Sequence, residues 1–307
     1  MAPEHPPRTR IPLCNSGLTV APLGWGMWRF ASGAPDTARA RVEAALEIGC
    51  TLFDTADIYG YSRGTGFGAA ETLLGDVLHE APALRARMVL ATKAGIEPRV
   101  PYNSSAHYLI DACEGSLRRL RVEHVELLQI HRPDLLVHPA EVADAFERLL
   151  RAGKIRAIGV SNHSAAQVAA LMRYLPAPLA SVQNEFSALA LEPLTDGTMD
   201  LAMQHGTAVL AWSPLAQGLL AGRAPSAAEA QRVQAVTAAL DAVAARCGGS
   251  RAAVAYAWVM AHPARPIPLI GTQNVERIRE AALAYRIELT RAEWYRVLEA
   301  SRGAPLP

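Results

Sequence analysis

The chain has 307 residues, of which half are apolar and 19% are charged, and its formal net charge is +1. This length allows one large α/β domain or two smaller ones, and the near-zero charge argues against nucleic acid or a membrane surface as a partner. Four scattered cysteines (Cys14, Cys50, Cys113 and Cys247) form no CxxC pair, which argues against a disulfide framework and a zinc site.

Two segments bear on location. The N-terminal stretch MAPEHPPRTR is polar and proline-rich without a hydrophobic signal core, and residues 1–9 are expected to be flexible. The longest apolar run, 252–261, is too short to span a bilayer and is better interpreted as a buried helix. The expectation is a cytoplasmic protein.

A hairpin is the first predicted element. Residues 10–20 contain IPLCNSGLTV, in which Asn15, Ser16 and Gly17 favour a turn between two short apolar stretches. Because this hairpin precedes the first strand of the alternation described next, we expect it to plug the bottom of the fold.

Short apolar runs then alternate with helical patterns. The runs predict strands at Leu23–Met27, Thr51–Asp54, Met88–Lys93, Leu127–His131, Ala157–Val160, Ala180–Gln183, Ala208–Trp212 and Ile267–Ile270. The patterns predict helices at Asp36–Glu47 with Asp36 as the cap, Ala69–Leu78, Ala106–Leu120, Ala140–Ala152, Ser164–Leu175, Thr198–His205, Ala227–Arg246, Arg251–His262, Val275–Ala284 and Arg291–Ser301. Eight β-then-α units predict an α/β protein with a (β/α)8 TIM barrel as one domain over residues 1–307, with a doubly wound open sheet as the alternative.

One glycine pattern suggests a different site. Gly64, Gly66 and Ala69 fit the G-x-G-x-x-A dinucleotide fingerprint. The predicted strand ends near residue 54, however, and no acidic residue ends the following strand. These glycines are therefore interpreted as a mobile loop at the barrel mouth.

Polar side chains stand where the predicted strands end, which is where a TIM barrel carries its chemistry. Asp54 ends the second strand with Tyr59 just beyond it, Lys93 ends the third and His131 ends the fourth. Each residue alone has an ordinary structural interpretation: a capping carboxylate, a packing tyrosine, a surface lysine or a core histidine. The combination favours catalysis, because a buried lysine and aspartate need each other. A lysine beside a tyrosine is expected to lower the phenol pKa from about 10 toward neutrality, which suits proton donation near pH 7.

Eight stretches in order resemble the aldo-keto reductases, covering residues 11 to about 285: GWGMW, FDTADIYG, ATKAG, LLQIHRPD, GVSN, VQNEF, AWSPLAQGLL and IGTQNVERIRE. The chain is most similar to a bacterial branch with the LLQIHRPD form. The resemblance implies NADPH-dependent reduction of an aldehyde or ketone to an alcohol. In it Tyr59 donates the proton, Lys93 lowers the Tyr59 pKa, Asp54 pairs with Lys93, and His131 orients the carbonyl.

The resemblance also implies an NADP(H) site without a metal ion. Ser161, Asn162 and Gln183 would bind the carboxamide, and Trp212, where many members have Tyr, would stack on the nicotinamide unless it is a core residue. Arg277 would pair with a 2′-phosphate unless it is a solvated helix arginine. The expected cofactor set is Gly26, Met27, Asp54, Ser161, Asn162, Gln183, Trp212, Ser213, Pro214, Leu215, Gln217, Gly218, Leu219, Ile270, Gly271, Thr272, Gln273, Arg277 and Glu280. Two positions depart from the family: some branches have Lys at Gly271, and Ala281 replaces a frequent Asn.

The substrate is expected to be a small carbonyl compound bordered by Trp28, Tyr59, His131 and Arg132, with the loop 96–105 beside them. The protein is expected to be a monomer or weak oligomer. Three alternatives stay open at this point: oxidation of an alcohol or sugar, a redox-neutral reaction on the same fold, and a slow-turnover NADP-binding regulatory subunit.

Overall fold

The computed structural model describes residues 10–307. Strands β1 (Ile11–Pro12) and β2 (Thr19–Val20) pair antiparallel, with Ile11 opposite Val20, and thereby confirm the hairpin. The remaining strands are β3 (Gly24–Gly26), β4 (Leu52–Asp54), β5 (Val89–Ala94), β6 (Val125–Ile130), β7 (Ile155–Ser161), β8 (Leu179–Glu185), β9 (Ala208–Trp212) and β10 (Ile267–Ile270). The expected flexible segment, residues 1–9, lies outside the described residues.

These eight strands form a closed barrel in the order β10-β3-β4-β5-β6-β7-β8-β9, and every neighbouring pair is parallel. The first and last strands close it, with Gly24 opposite Leu269 and Trp25 opposite Ile270. The predicted (β/α)8 TIM barrel is confirmed, and the doubly wound open sheet is wrong because such a sheet would keep two free edges.

Helices follow the strands as predicted. They are α1 (Pro35–Glu47), α2 (Ala69–Glu80), α3 (Ala106–Leu120), α4 (Pro139–Arg151), α5 (Ala165–Met172), α6 (Thr198–His205), α7 (Ala230–Cys247), α8 (Arg251–Met260), α9 (Val275–Glu280) and α10 (Arg291–Arg302). Among residues 10–307 no helix combines the length and the apolar character needed to cross a membrane.

Helix ends differ from the prediction where the chain changes local geometry. Asp36 does not cap α1, because Ala34 is the cap residue and Pro35 takes the first helical position, which its fixed φ suits. The helix predicted at Val275–Ala284 ends at Glu280, and the chain continues as a 3-10 helix over Ala281–Arg286. Gly64 and Gly66 lie in the loop before α2, both with positive φ, and not directly after a strand.

The hairpin closes one end of the barrel. Leu13 and Val20 are fully buried and belong to the same apolar cluster as Leu52, Leu127 and Leu210 from the barrel strands. This cluster is separate from the larger core between the strands and the helices. Polar strand ends therefore meet only at the opposite, open end of the barrel.

Candidate active site

The side chains of Asp54, Tyr59 and Lys93 form one connected group. Lys93 Nζ donates to Asp54 Oδ2 at 2.6 Å, to the backbone oxygen of Thr55 at 3.0 Å and to the Tyr59 hydroxyl at 3.0 Å. Asp54 and Lys93 are buried to within a few per cent. The His131 ring packs edge-on against Tyr59, with centroids 5.7 Å apart. The structure thus brings together all four residues that the sequence singled out as catalytic.

A second set of hydrogen bonds fixes the other oxygen of Asp54. Gln129 Nε2 and Gln183 Nε2 donate to Asp54 Oδ1 at 3.0 Å and 2.9 Å. Ser181 Oγ in turn donates to Gln129 Oε1 at 3.3 Å. Sequence analysis missed Gln129, although a polar residue inside the buried run LLQIH was a signal for it. Because both of its carboxylate oxygens are bound, Asp54 is held in place and in turn fixes the position of Lys93.

The environment of Tyr59 corrects one expectation. Burial raises the pKa of the Tyr59 phenol above its ordinary value; Lys93 opposes this shift, and the nearby Asp54 carboxylate adds to it. The expected fall of the Tyr59 pKa toward neutrality is therefore wrong for this structure, because desolvation of a phenolate outweighs one cation that is already paired with Asp54. Tyr59 carries its proton at neutral pH.

At neutral pH Lys93 is charged, whereas His131 is neutral. Burial lowers the pKa of Lys93, but Asp54 and Tyr59 more than compensate, so the net direction is upward and the ammonium is kept. Burial, followed by Lys93 and Arg132, holds the pKa of His131 well below its ordinary value. His131 Nδ1 is buried without a hydrogen-bond partner among the described residues. A neutral imidazole beside a protonated phenol can donate to a carbonyl oxygen without adding charge.

A cavity of about 1060 Å³ opens from Tyr59 and His131 across the ends of the barrel strands. Most residues that the sequence assigned to cofactor or substrate line it: Gly26, Trp28, Asp54, Tyr59, His131, Arg132, Ser161, Asn162, Gln183, Trp212, Ser213, Pro214, Leu215, Gln217, Gly218, Gly271, Thr272, Gln273, Arg277 and Glu280. The side chains of Met27, Leu219 and Ile270 pack in the core instead, and Lys93 lies behind Tyr59.

Beside His131 a network of side chains faces this cavity. Asn162 Nδ2 donates to the backbone oxygen of His131 at 3.0 Å, and Trp212 Nε1 donates to Asn162 Oδ1 at 3.1 Å. Ser161 Oγ donates to the backbone oxygen of Gln183 at 2.9 Å. Asn162 adopts a positive φ of 59°, which asparagine tolerates better than most residues. The Trp212 ring is only partly buried, so it is not a core tryptophan.

The far end of the cavity lies at α9. Asn274 Oδ1 caps the helix by accepting from the Arg277 backbone N–H at 3.0 Å, and Thr272 Oγ1 accepts from Asn274 N at 3.2 Å. The exposed Arg277 guanidinium makes no hydrogen bond or ion pair with the rest of residues 10–307. Both side-chain polar atoms of Gln273 are buried without a partner in the described part of the chain.

Sequence analysis missed several residues of the cavity wall, among them Arg29, Ser62, Arg223 and Tyr256. Arg29 lies over the Trp28 ring, 4.9 Å from its centroid, and reaches the backbone oxygen of Gly271 at 3.4 Å. That contact joins the first and last strand ends of the closed barrel. It depends on barrel closure and left no local signal in the sequence.

The chain resembles known proteins in both sequence and structure. A family model described as Aldo/keto reductase family matches residues 22–302. The chain is 49% identical over 297 residues, 96% of each chain, to a protein from Novosphingobium aromaticivorans named 6-dehydroglucose reductase. It is 35% identical to a protein of the same name from Agrobacterium fabrum, over 96% of this chain and 98% of the relative. A solved structure of the glycerol dehydrogenase from Gluconobacter oxydans matches with a TM-score of 0.84 and 28% identity, over 97% of each chain.

Proposed function

The chain belongs to the aldo/keto reductase family, and we propose that it reduces the aldehyde group of an oxidised sugar to an alcohol with NADPH. The observation that carries this proposal is the buried chain from Asp54 through Lys93 to the Tyr59 hydroxyl, which ends at the cavity beside His131. Family membership confirms the resemblance inferred from the motifs and makes the chain an oxidoreductase. We further propose a cytoplasmic enzyme whose single domain covers residues 1–307.

The cavity fits a nicotinamide dinucleotide. Its volume of about 1060 Å³ exceeds what a small carbonyl compound needs, and it runs from the catalytic group to α9. Trp212 presents a partly exposed ring beside Asn162, Ser161 and Gln183, which suits a flat carboxamide-bearing ring. Arg277 offers a free planar fork at the other end, which suits a phosphate. When bound, the reduced nicotinamide would supply the hydride.

The chain's own residues would supply the proton and stabilise the negative charge that develops on the carbonyl oxygen. Tyr59 holds a proton on its hydroxyl and would donate it to the carbonyl oxygen as negative charge develops there. The Lys93 ammonium, 3.0 Å from that hydroxyl, would stabilise the phenolate left behind. Neutral His131 would donate a second hydrogen bond to the same oxygen. Asp54 would act through Lys93, whose position it fixes.

The names of the two relatives support the sugar. A dehydrogenated sugar presents a carbonyl next to carbons that carry hydroxyl groups. Both proteins named 6-dehydroglucose reductase align over 96% of the chain. We therefore propose 6-dehydroglucose as the first substrate to test.

A second candidate is oxidation of a polyol, and the structural likeness to a protein named glycerol dehydrogenase favours it. Tyr59 would then first have to lose its proton, and its phenolate would accept the proton of the alcohol, so oxidation would be favoured only at high pH. A non-catalytic regulatory subunit would need none of the Asp54, Tyr59, Lys93 and His131 contacts, and their intact geometry argues against it.

The test begins with fluorescence titration of the purified protein with NADPH and NADH. Absorbance of the reduced nicotinamide is then followed with 6-dehydroglucose, and in the reverse direction with glycerol and NADP. Tight NADPH binding with sugar-dependent oxidation of NADPH is the expected result. Turnover of glycerol alone would establish the second candidate, and binding of neither cofactor would overturn both.

A further inference from the structure

Arg132 is a cation without a partner in the cavity wall. It directly follows His131 at the end of β6, is half-buried, and lines the cavity. Its guanidinium makes no hydrogen bond and no ion pair with any other side chain or backbone group in residues 10–307. Among the other half-buried arginines of the described residues, Arg85, Arg119, Arg251 and Arg279 are bound to carboxylates, and Arg29 and Arg41 donate to backbone oxygens.

A half-buried guanidinium without protein partners has hydrogen-bond donors left unpaired. It carries five N–H donors in a planar fork and cannot lose its charge in a protein. Partial burial removes part of its water shell, and each donor that stays unpaired then costs free energy. Its charge acts on Tyr59 and His131, lowering the pKa of each, which places it on the same side of the cavity as the group that would hold the carbonyl.

The carboxylate of Glu185 lies within electrostatic range of Arg132, although Glu185 does not itself line the cavity. It is the last residue of β8, is half-buried, and its carboxylate has no hydrogen-bond partner in the described part of the chain. Burial raises the pKa of Glu185, and the neighbouring Arg132 opposes that shift. The two side chains are close enough to interact but form no ion pair with each other, so the fork of Arg132 stays free.

This combination favours a neutral hydroxylated ligand over an anion. A phosphate or carboxylate bound to Arg132 would also meet the negative charge of Glu185. A hydroxyl oxygen accepts a hydrogen bond from the fork without adding a second negative charge beside Glu185. His131 and Arg132 are consecutive and line the same cavity, so oxygens on the carbons next to a carbonyl held by Tyr59 and His131 are the nearest candidates for the donors of Arg132.

We propose that Arg132 is a specificity-determining residue, which donates hydrogen bonds to oxygens on the carbons adjacent to the reacting carbonyl. The site then prefers carbonyl compounds that carry hydroxyl groups at those positions. This inference rests on the proposed carbonyl reduction, and it identifies the hydroxyl groups next to the carbonyl as the part of the substrate that the site recognises.

The experiment compares two aldehydes that differ only in hydroxyl groups, glyceraldehyde and propanal. Arg132→Met keeps most of the side-chain length and removes the donors, and Arg132→Lys keeps the charge without the fork. Arg173→Met, which changes an exposed arginine outside the cavity, is the matched control. NADPH binding by fluorescence titration is measured for each variant to confirm an intact cofactor site.

Arg132→Met is expected to lower kcat/KM for glyceraldehyde about 10- to 100-fold, the usual effect of losing hydrogen bonds from a charged donor, with most of the loss in KM. Propanal should lose much less, and Arg132→Lys should recover part of the difference. Arg173→Met should leave both substrates unchanged.

Equal losses for both aldehydes, with a shifted pH profile, would overturn the proposal and assign Arg132 to electrostatic tuning of Tyr59 and His131. A larger loss for succinic semialdehyde than for glyceraldehyde would overturn the neutral hydroxyl and establish an anion site. No loss for any substrate would also overturn it. If the unmodified protein reduces none of these aldehydes, carbonyl reduction itself fails. Calorimetric binding of glycerol and of 1-propanol to the NADP complex then tests Arg132 without turnover, and an Arg132→Met variant with unchanged preference would overturn the proposal.

Discussion

The Tyr59 hydroxyl lies 3.0 Å from Lys93 Nζ, where the half-buried Tyr59 at the cavity meets the fully buried Lys93 of the barrel. The same ammonium is bound to Asp54, so its charge is already partly balanced when it acts on the phenol. Burial therefore decides the resting state, in which Tyr59 is protonated. Lys93 gains importance only when the proton leaves, because an unshielded phenolate would be far more costly in this site.

Tyr59→Phe is expected to lower kcat for the proposed reduction by about 100- to 10 000-fold, the usual contribution of a positioned general acid. Binding of NADPH should persist, because the ring is kept and only the hydroxyl is removed. Stopped-flow turnover and fluorescence titration measure the two quantities. Tyr61→Phe is a matched control, since Tyr61 is two residues away and 51% exposed. Turnover near that of the control would remove Tyr59 from the proton-donor role.

The pH dependence of reduction follows from two opposite shifts. The pKa of Tyr59 is raised from its ordinary 10.0, and the pKa of His131 is held well below 6.5. Reduction needs the protonated phenol and the neutral imidazole, and both forms prevail between these limits. We expect kcat/KM to stay level from about pH 7 to pH 9 and to fall only as the pH passes above 10. A titration step with a midpoint near pH 6.5 that Arg132→Met leaves in place, and that His131→Asn abolishes, would show that His131 ionises after all.

A second buried charge cluster lies behind the turn that carries Tyr59. Both carboxylate oxygens of Asp57 are buried without a hydrogen-bond partner within residues 10–307. The neighbouring Glu71 pairs with Arg119, whose Nε donates to Glu71 Oε2 at 2.7 Å, so Arg119 forms no ion pair with Asp57. Burial, and next the charge of Glu71, raise the pKa of Asp57 well above its ordinary value, while Arg119 and Lys93 oppose the shift. Asp57 in turn helps to raise the pKa of Tyr108, for which burial is the main cause.

Asp57→Asn is therefore expected to stabilise the protein at neutral pH. The folded state holds a proton on Asp57 that the unfolded chain has lost, so wild-type stability falls as the pH rises from the unfolded pKa through the folded one. Asparagine has nearly the same shape and does not ionise. The gain in the free energy of unfolding should therefore appear at pH 7 and shrink as the pH falls toward the pKa of the unfolded aspartate.

Urea unfolding at pH 4.5 and pH 7 measures this effect, and the advantage of Asp57→Asn should be larger at pH 7. Asp76→Asn is the control, because Asp76 lies on the surface of α2 and pairs with Arg121. Its effect should be small at both pH values. A variant that loses stability equally at both would show that Asp57 is ionised and has a partner in the folded protein.

Gly75 lies where α2 packs against the end of α3 with no room for a side chain. A Cβ built on this residue of α2 would lie 2.1 Å from the backbone oxygen of Arg119 in α3. Gly75→Ala should therefore destabilise the protein by about 1–3 kcal/mol through overpacking, despite the better helix propensity of alanine. Gly115→Ala is the matched control, because a Cβ on that helical glycine would meet the side-chain ends of Arg119 and Arg118 and no backbone atom, so the substitution should cost much less. Thermal unfolding of both variants distinguishes the contact from propensity; equal Tm values would contradict it.

The sequence predicted what depends on neighbours along the chain. Apolar runs identified every barrel strand, and the residues Asp54, Lys93 and His131 at their ends met in space because parallel strands end at one face. Gly75 and Arg119 are 44 positions apart, a contact that only helix packing creates. The pKa direction of Tyr59 also escaped prediction, because two opposing effects set it and the depth of burial was not known. Gln129 lay in a predicted strand, but its bond to Asp54 requires the inward orientation that barrel closure decides.

The cofactor preference can be tested on one helix. Arg277 and Arg279 are both on α9, but Arg279 is bound to Glu47 and Glu276, whereas Arg277 lines the cavity with its guanidinium free among the described residues. Arg277→Met is expected to raise the Kd for NADPH about 10- to 100-fold and to leave the Kd for NADH unchanged, since only NADPH carries the 2′-phosphate that a charged fork binds. Arg279→Met should change neither. Fluorescence titration of both cofactors against both variants gives the four values, and equal weakening of NADPH and NADH would show that Arg277 contacts a part of the cofactor that both share.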